Sequence, residues 1–122
     1  MEERRRSPRV EAAIAIHYEA IGSSARGTVP QTRTEISVGG VRVPLAQQLE
    51  PGTGLKLELI LPDRAASIQA TGEVVWSARF DNEGPYKTGL RFTEIDQVEQ
   101  EKLSRFIHQS PGAERLSKTD RP

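Results

Sequence analysis

From Val10 onward apolar residues fall on every second position, Val10, Ala12, Ile14, Ile16 and Tyr18, while Glu11, His17 and Glu19 take the opposite parity. Successive side chains of an extended chain point to opposite faces, so this pattern predicts a strand with one face in a core and one in water. Gly22-Ser23-Ser24 supplies a turn. The stretch from Thr28 to Ile36 is more polar and carries Pro30, which cannot donate to a ladder, and it predicts a strand near a sheet edge. Ser37-Val38-Gly39-Gly40 breaks the chain before a short strand with Val41 and Val43, and Pro51-Gly52-Thr53-Gly54 turns it again ahead of Leu55, Leu57, Leu59 and Leu61. Up to this point the succession predicts hairpin after hairpin.

Ile68, Ala70, Val74, Trp76 and Ala78 share one parity over a run that, at ~3.3 Å per residue, is too long to stay straight in a small barrel. Gly72 is the expected bend or bulge. The turn Asp81-Asn82-Glu83-Gly84-Pro85 returns the chain into Tyr86, Thr88, Leu90 and Phe92, again of one parity. The period then changes. Ile95, Val98, Leu103, Phe106 and Ile107 are expected within one arc of a C-terminal helix, with Glu94, Glu99 and Glu101 toward its start and Lys102, Arg105 and His108 toward its end, where each sign suits the helix dipole. The prediction is an all-β fold with a terminal helix: a six-stranded antiparallel barrel capped by that helix. Residues 1–9 would form a flexible arginine-rich arm, residues 10–109 the barrel with its helix, and residues 110–122, opening on Ser110-Pro111-Gly112, a disordered tail.

At 122 residues and 13.5 kDa the chain suits one domain. Its 17 basic and 17 acidic residues cancel, which gives no bulk attraction to a nucleic acid polymer or an anionic membrane, so any anion site must be local. The absence of cysteine removes disulfides, thiolate metal sites and cysteine nucleophiles, and fits a reducing compartment, with cytoplasm the expected location. No stretch resembles a signal peptide or approaches the ~20 apolar residues of a membrane helix.

Two constellations bear on function. Arg4, Arg5, Arg6 and Arg9 crowd four guanidiniums ahead of the first strand. Guanidinium forks onto phosphate oxygens or the O6/N7 edge of guanine and stacks on bases, although a short charge run also reads as a solvated basic end. Glu35-Ile36-Ser37-Val38-Gly39-Gly40 sets a carboxylate, a hydroxyl and two glycines at a strand junction. The glycines would let a ligand approach backbone N–H groups, the hydroxyl can donate to phosphate and the carboxylate can accept from guanine's N–H edge. A plain Gly-Gly hairpin turn is the structural alternative.

Taken together, the string Arg5-Arg6-Ser7-Pro8-Arg9, extended by Arg4, resembles the R-x-x-x-R element of PilZ domains, and Glu35-x-Ser37-x-x-Gly40 resembles their D/N-x-S-x-x-G element. Gly89-Leu90-Arg91-Phe92 before a helix is similar to their closing strand, and the resemblance runs from Arg4 to Ile107. It implies a PilZ-type barrel that binds cyclic di-GMP between the N-terminal arm and the barrel. Arg5 and Arg9 would grip guanines and phosphates, often of two intercalated ligands, with Arg4 and Arg6 helping, while Ser37 and Gly40 line the barrel side. Glu35 departs from the family's Asp or Asn. Its extra methylene moves the acceptor by about one C–C bond, and loss of one hydrogen bond to a charged group would weaken affinity by roughly ten- to hundred-fold.

Trp76, the sole tryptophan, shares parity with Val74 and Ile68 and is expected at the core or rim, where its other reading is a stacking wall for guanine. Arg79 closes that strand on the opposite parity, a place for a phosphate contact or for plain solvation. His17 and His108 have no neighbouring ligand set, so no metal site is expected, and neither a nucleophile elbow nor a phosphate loop occurs, so no catalytic residue, cofactor or enzymatic activity is expected. The leading expectation is a cyclic di-GMP sensor, monomeric or weakly homodimeric, whose arm orders on the ligand and presents a surface to an unidentified protein partner. In the family such control reaches motility, pili, exopolysaccharide or biofilm. The competing expectations are an adaptor that binds no ligand and works through protein contacts, as in type IV pilus assembly, and a barrel that binds nucleic acid through Arg4 to Arg9.

Overall fold

A computed structural model describes residues 9–62 and 66–109. The arm residues Arg4, Arg5 and Arg6 and the tail from Ser110 lie outside the described residues. Six strands follow one another, β1 (Val10–Ala20), β2 (Arg26–Ser37), β3 (Gly40–Leu45), β4 (Gly54–Ile60), β5 (Ser67–Arg79) and β6 (Tyr86–Glu94), and a helix, α1 (Gln97–Gln109), ends the series. All pairings are antiparallel and the sheet closes on itself in the order β1-β2-β3-β6-β5-β4. The six antiparallel strands and the C-terminal helix are those that period and turns predicted, and the sheet closes into the barrel that the resemblance implied.

The alternating residues fill the interior. Val10, Ile14, Ile16 and Tyr18 of β1, Leu55, Leu57 and Leu59 of β4, and Ile68 and Val74 of β5 are all buried, while Glu11, His17 and Glu19 face water. At about 25 cal/mol per Å² of apolar surface removed from water, this interior is the dominant stabilising term. Thr34 and Thr88 are buried too, and each donates its hydroxyl to a backbone carbonyl two residues back, which removes the desolvation penalty of the polar atom.

Topology departs from hairpin after hairpin at one connection. β3 and β4 are consecutive but not neighbours: β3 pairs with β6, and β4 pairs with β1. This exchange closes the barrel and leaves no free edge on β1 or β4. Likewise β2 is paired on both sides rather than standing at an edge, although its pairing with β3 spans only Glu35 to Ser37 against Gly40 to Arg42. Pro30 is accommodated by a register shift, with Ile14 opposite Thr32 and Ile16 opposite Val29, so its missing N–H falls within a bulge. β5 bends where expected, with a shift between Thr71 and Gly72, and again between Val74 and Trp76, where Val75 is the extra residue.

Leu103 and Ile107 of α1 are buried, and Phe106 and Ile95 pack partly against the same core. Val98, expected in the same arc, is 65% exposed. Nine residues at ~100° each put it on the opposite side from Ile107, facing water. The helix lies against β5 and β2, held by Glu99, whose Oε1 accepts the Gln69 N–H at 2.8 Å, and by Lys102, whose Nζ donates to the Ser67 carbonyl at 3.0 Å. Among the described residues no helix is long and apolar enough to cross a membrane.

Candidate functional site

Ser37 and Gly40 are paired residues, so Val38-Gly39 forms a two-residue turn from β2 into β3. The tip is fixed at several points. Ser37 Oγ accepts the Gly39 N–H at 3.2 Å, and the Gly39 carbonyl accepts the Phe92 N–H of β6 at 2.9 Å. The Gly39 N–H expected to face a ligand is therefore already engaged, while the Ser37 hydroxyl proton stays available for donation. Gly40 lies against β6 so closely that a Cβ there would collide with the Leu90 carbonyl, and one at Gly89 would collide with the Trp76 indole. These two glycines let β3, β6 and the indole approach.

A two-residue turn dictates the register that follows: Ile36 faces Val41, and Glu35 faces Arg42. The Glu35 carboxylate is shared, with Oε1 3.1 Å from Arg42 Nη1 and Oε2 3.5 Å from Arg9 Nη1. On the other side Glu35 is also opposite Glu11 in β1, and that like-charge pairing is relieved because Glu11 Oε1 takes Arg33 Nη2 at 2.8 Å. The Arg42 guanidinium stands over the Trp76 ring, 5.7 Å from its centroid, within reach of a cation–π attraction. Arg91, opposite Glu73, pairs with it at 3.3 Å.

These residues surround one open cleft of about 260 Å³, lined by Arg9, Glu35, Ser37, Gly39, Gly40, Arg42, Val75, Trp76, Gly89 and Arg91 among others. Every site residue expected from sequence within the described part, Arg9, Glu35, Ser37, Gly39, Gly40 and Trp76, is thus brought to a single place, although Arg9 and Glu35 lie far apart in the chain. Trp76 is half-buried and forms the wall, consistent with a rim position. Arg79 is elsewhere: it donates to the Tyr86 hydroxyl at 2.9 Å, lies over that ring and binds the Asn82 carbonyl, bracing its own hairpin. His17 hydrogen-bonds Thr28 and His108 the Ser104 carbonyl, and the described residues hold no cluster of three potential metal ligands.

Arg42 and Arg91 were missed. Arg42 was within reach of the sequence, because a two-residue turn at Val38-Gly39 places position 42 opposite Glu35. Arg91 depended on the β3–β6 pairing, which no local pattern announces.

The family model described as PilZ domain matches residues 3–109. The chain belongs to the PilZ domain family. No curated protein sequence matches it. Among solved structures, this PilZ domain is similar to the Bacillus subtilis inhibitor of motility MotI/DgrA, with a TM-score of 0.68 and 22% identity over 97% of this chain and 53% of that one. The present chain therefore spans about half the length of that relative. It also resembles the PilZ domain of YcgR from Escherichia coli, solved with c-di-GMP, with a TM-score of 0.64 and 17% identity over 98% and 99% of the two chains. A third similar structure is a tetrameric PilZ protein of Xanthomonas campestris, with a TM-score of 0.53 and 23% identity over 81% of this chain and 53% of that one. At these identities the likeness concerns the barrel and its helix.

Proposed function

We propose that this PilZ domain is a receptor for cyclic di-GMP that binds the messenger in the cleft between Arg9 and Trp76 and orders its arginine-rich arm upon it. The observation that carries the reading is the convergence of Arg9, Ser37, Gly39-Gly40 and Trp76 on one cleft, at the point where the chain arrives from the segment bearing Arg4, Arg5 and Arg6. Each part suits a cyclic dinucleotide: guanidiniums for phosphate and the guanine edge, a hydroxyl for phosphate, and an indole for base stacking. The c-di-GMP named with the YcgR domain supports the ligand, and the motility inhibitor supports a regulatory output. Ordering the arm costs conformational entropy that ligand contacts must offset, so signalling is a population shift.

Isothermal titration with cyclic di-GMP at physiological salt, with GTP and cyclic GMP as controls, tests the reading. Saturable, selective binding at roughly micromolar affinity or tighter is expected. Arg5→Ala and Arg9→Ala should each weaken it by about ten-fold or more, the worth of one charge-assisted hydrogen bond. Their melting temperatures should hold, since Arg9 is exposed and outside the core. No binding by the native chain would leave the adaptor that acts through protein contacts alone.

A further inference from the structure

Resting on that reading, we infer that Glu35 is an internal counter-ion which the ligand must displace, and that Arg42 is a further phosphate-binding residue held in reserve by it. Glu35 divides its two oxygens between Arg42 on the facing strand and Arg9 at the mouth of β1, at 3.1 and 3.5 Å, and all three side chains line the same cleft. Among the described residues Glu35 is the acidic partner of both guanidiniums. The arginines remain about half exposed while the carboxylate is 27% exposed, so an incoming anion meets their free N–H groups before it meets Glu35.

With Arg91 neutralised by Glu73, one carboxylate against two guanidiniums leaves a single positive charge in the cleft. Swinging Glu35 aside doubles it, matching a ligand with two phosphodiesters. Phosphate oxygens compete for the same N–H donors as the carboxylate and fit the guanidinium fork equally well. A ligand with one phosphate has less to gain against the bridge than one with two. The bridge thus opposes any anion, and a ligand that engages both guanidiniums best offsets its loss. It also accounts for glutamate at this position: an aspartate, shorter by about 1.5 Å, would hold one arginine but not span both. Arg42 is already placed for a second task. Its guanidinium lies over Trp76, 5.7 Å from the ring centroid, and is itself a flat group on which a guanine can stack.

Four chains test the inference by titration with cyclic di-GMP and, separately, cyclic GMP, which carries one phosphodiester: native, Glu35→Gln, Arg42→Gln and the double variant. Glutamine keeps the shape of Glu35 and removes its charge. Since an exposed ion pair changes an equilibrium by up to about five-fold, Glu35→Gln should tighten cyclic di-GMP binding by about three-fold or more and strengthen cyclic GMP binding by a smaller factor. Arg42→Gln should weaken cyclic di-GMP binding about five-fold or more, and the gain from Glu35→Gln should shrink in its presence, the mark of coupled residues. Weaker binding in Glu35→Gln would mean the carboxylate contacts the ligand and would overturn the counter-ion role alone. Unchanged binding in Arg42→Gln would overturn the reserve role alone. Failure of the native chain to bind would remove the proposed function, and the displacement with it.

Discussion

Glu99 shows how one side chain couples the helix to the barrel. Its carboxylate accepts the Gln69 N–H of β5 at 2.8 Å and lies 3.0 Å from Lys102 Nζ one turn later. The Gln69 backbone hydrogen bond, aided by Lys102 and opposed by burial, holds its carboxyl below the ordinary carboxylate value. A carboxyl depressed in the folded state contributes stability that is complete above its unfolded value of ~4.3 and is lost as pH falls through the lower folded value. Glu99→Ala should therefore cost about 1.5–3 kcal/mol at neutral pH in urea unfolding. For Glu99→Gln, whose side chain cannot titrate, the deficit against the native chain should be present at pH 7 and close progressively as the medium is acidified past that range. An unchanged deficit at low pH would show that shape rather than charge is at work. The sequence placed Glu99 at the start of a helix for dipole reasons, but its partner is a strand amide 30 residues away, which no local rule exposes.

At the scale of elements, alternation in the chain located the strands because one face of each is dry, and it located Trp76 at the rim for the same reason. What alternation does not contain is the distance between backbones. Gly39 and Gly40 look equivalent as a turn pair, yet a Cβ at Gly39 would meet only Ser37 Oγ at 3.9 Å, whereas one at Gly40 would strike the backbone of Leu90 and Arg91. A backbone carbonyl within a ladder cannot move aside as a side-chain tip can. Gly40→Ala should lower stability by about 1–3 kcal/mol by forcing β3 from β6, and Gly39→Ala should fall within about 0.5 kcal/mol of the native chain. Chemical denaturation of the two variants side by side checks the contrast, and equal effects would refute this account of the hairpin. The helix was legible as an element but not in its facing: only Leu103, Phe106 and Ile107 reach the core, and Val98 does not, because apolar identity alone does not fix the angle around the axis.

For the whole molecule, strand number and class followed from period and turns, while closure did not, since the β1–β4 and β3–β6 pairings join segments that no turn connects. The candidate site was legible in its motif residues and illegible in Arg91, which arrives through that closure. The ring is unevenly fastened. β1 and β2 are paired from Val10 to Glu19, but β2 and β3 are joined by the short rung from Glu35/Arg42 to Ser37/Gly40, alongside the cleft. Native-state hydrogen exchange should find the amides of residues 35–42 opening more readily than those of the β1–β4 pairing, with cyclic di-GMP slowing the former most; uniform protection across the ring would argue against it. A molecule lodged there acts as a rivet in the weakest joint of a hoop. Since proteases cleave opened forms in proportion to their population, the proposed binding of cyclic di-GMP would also set how long the hoop survives digestion.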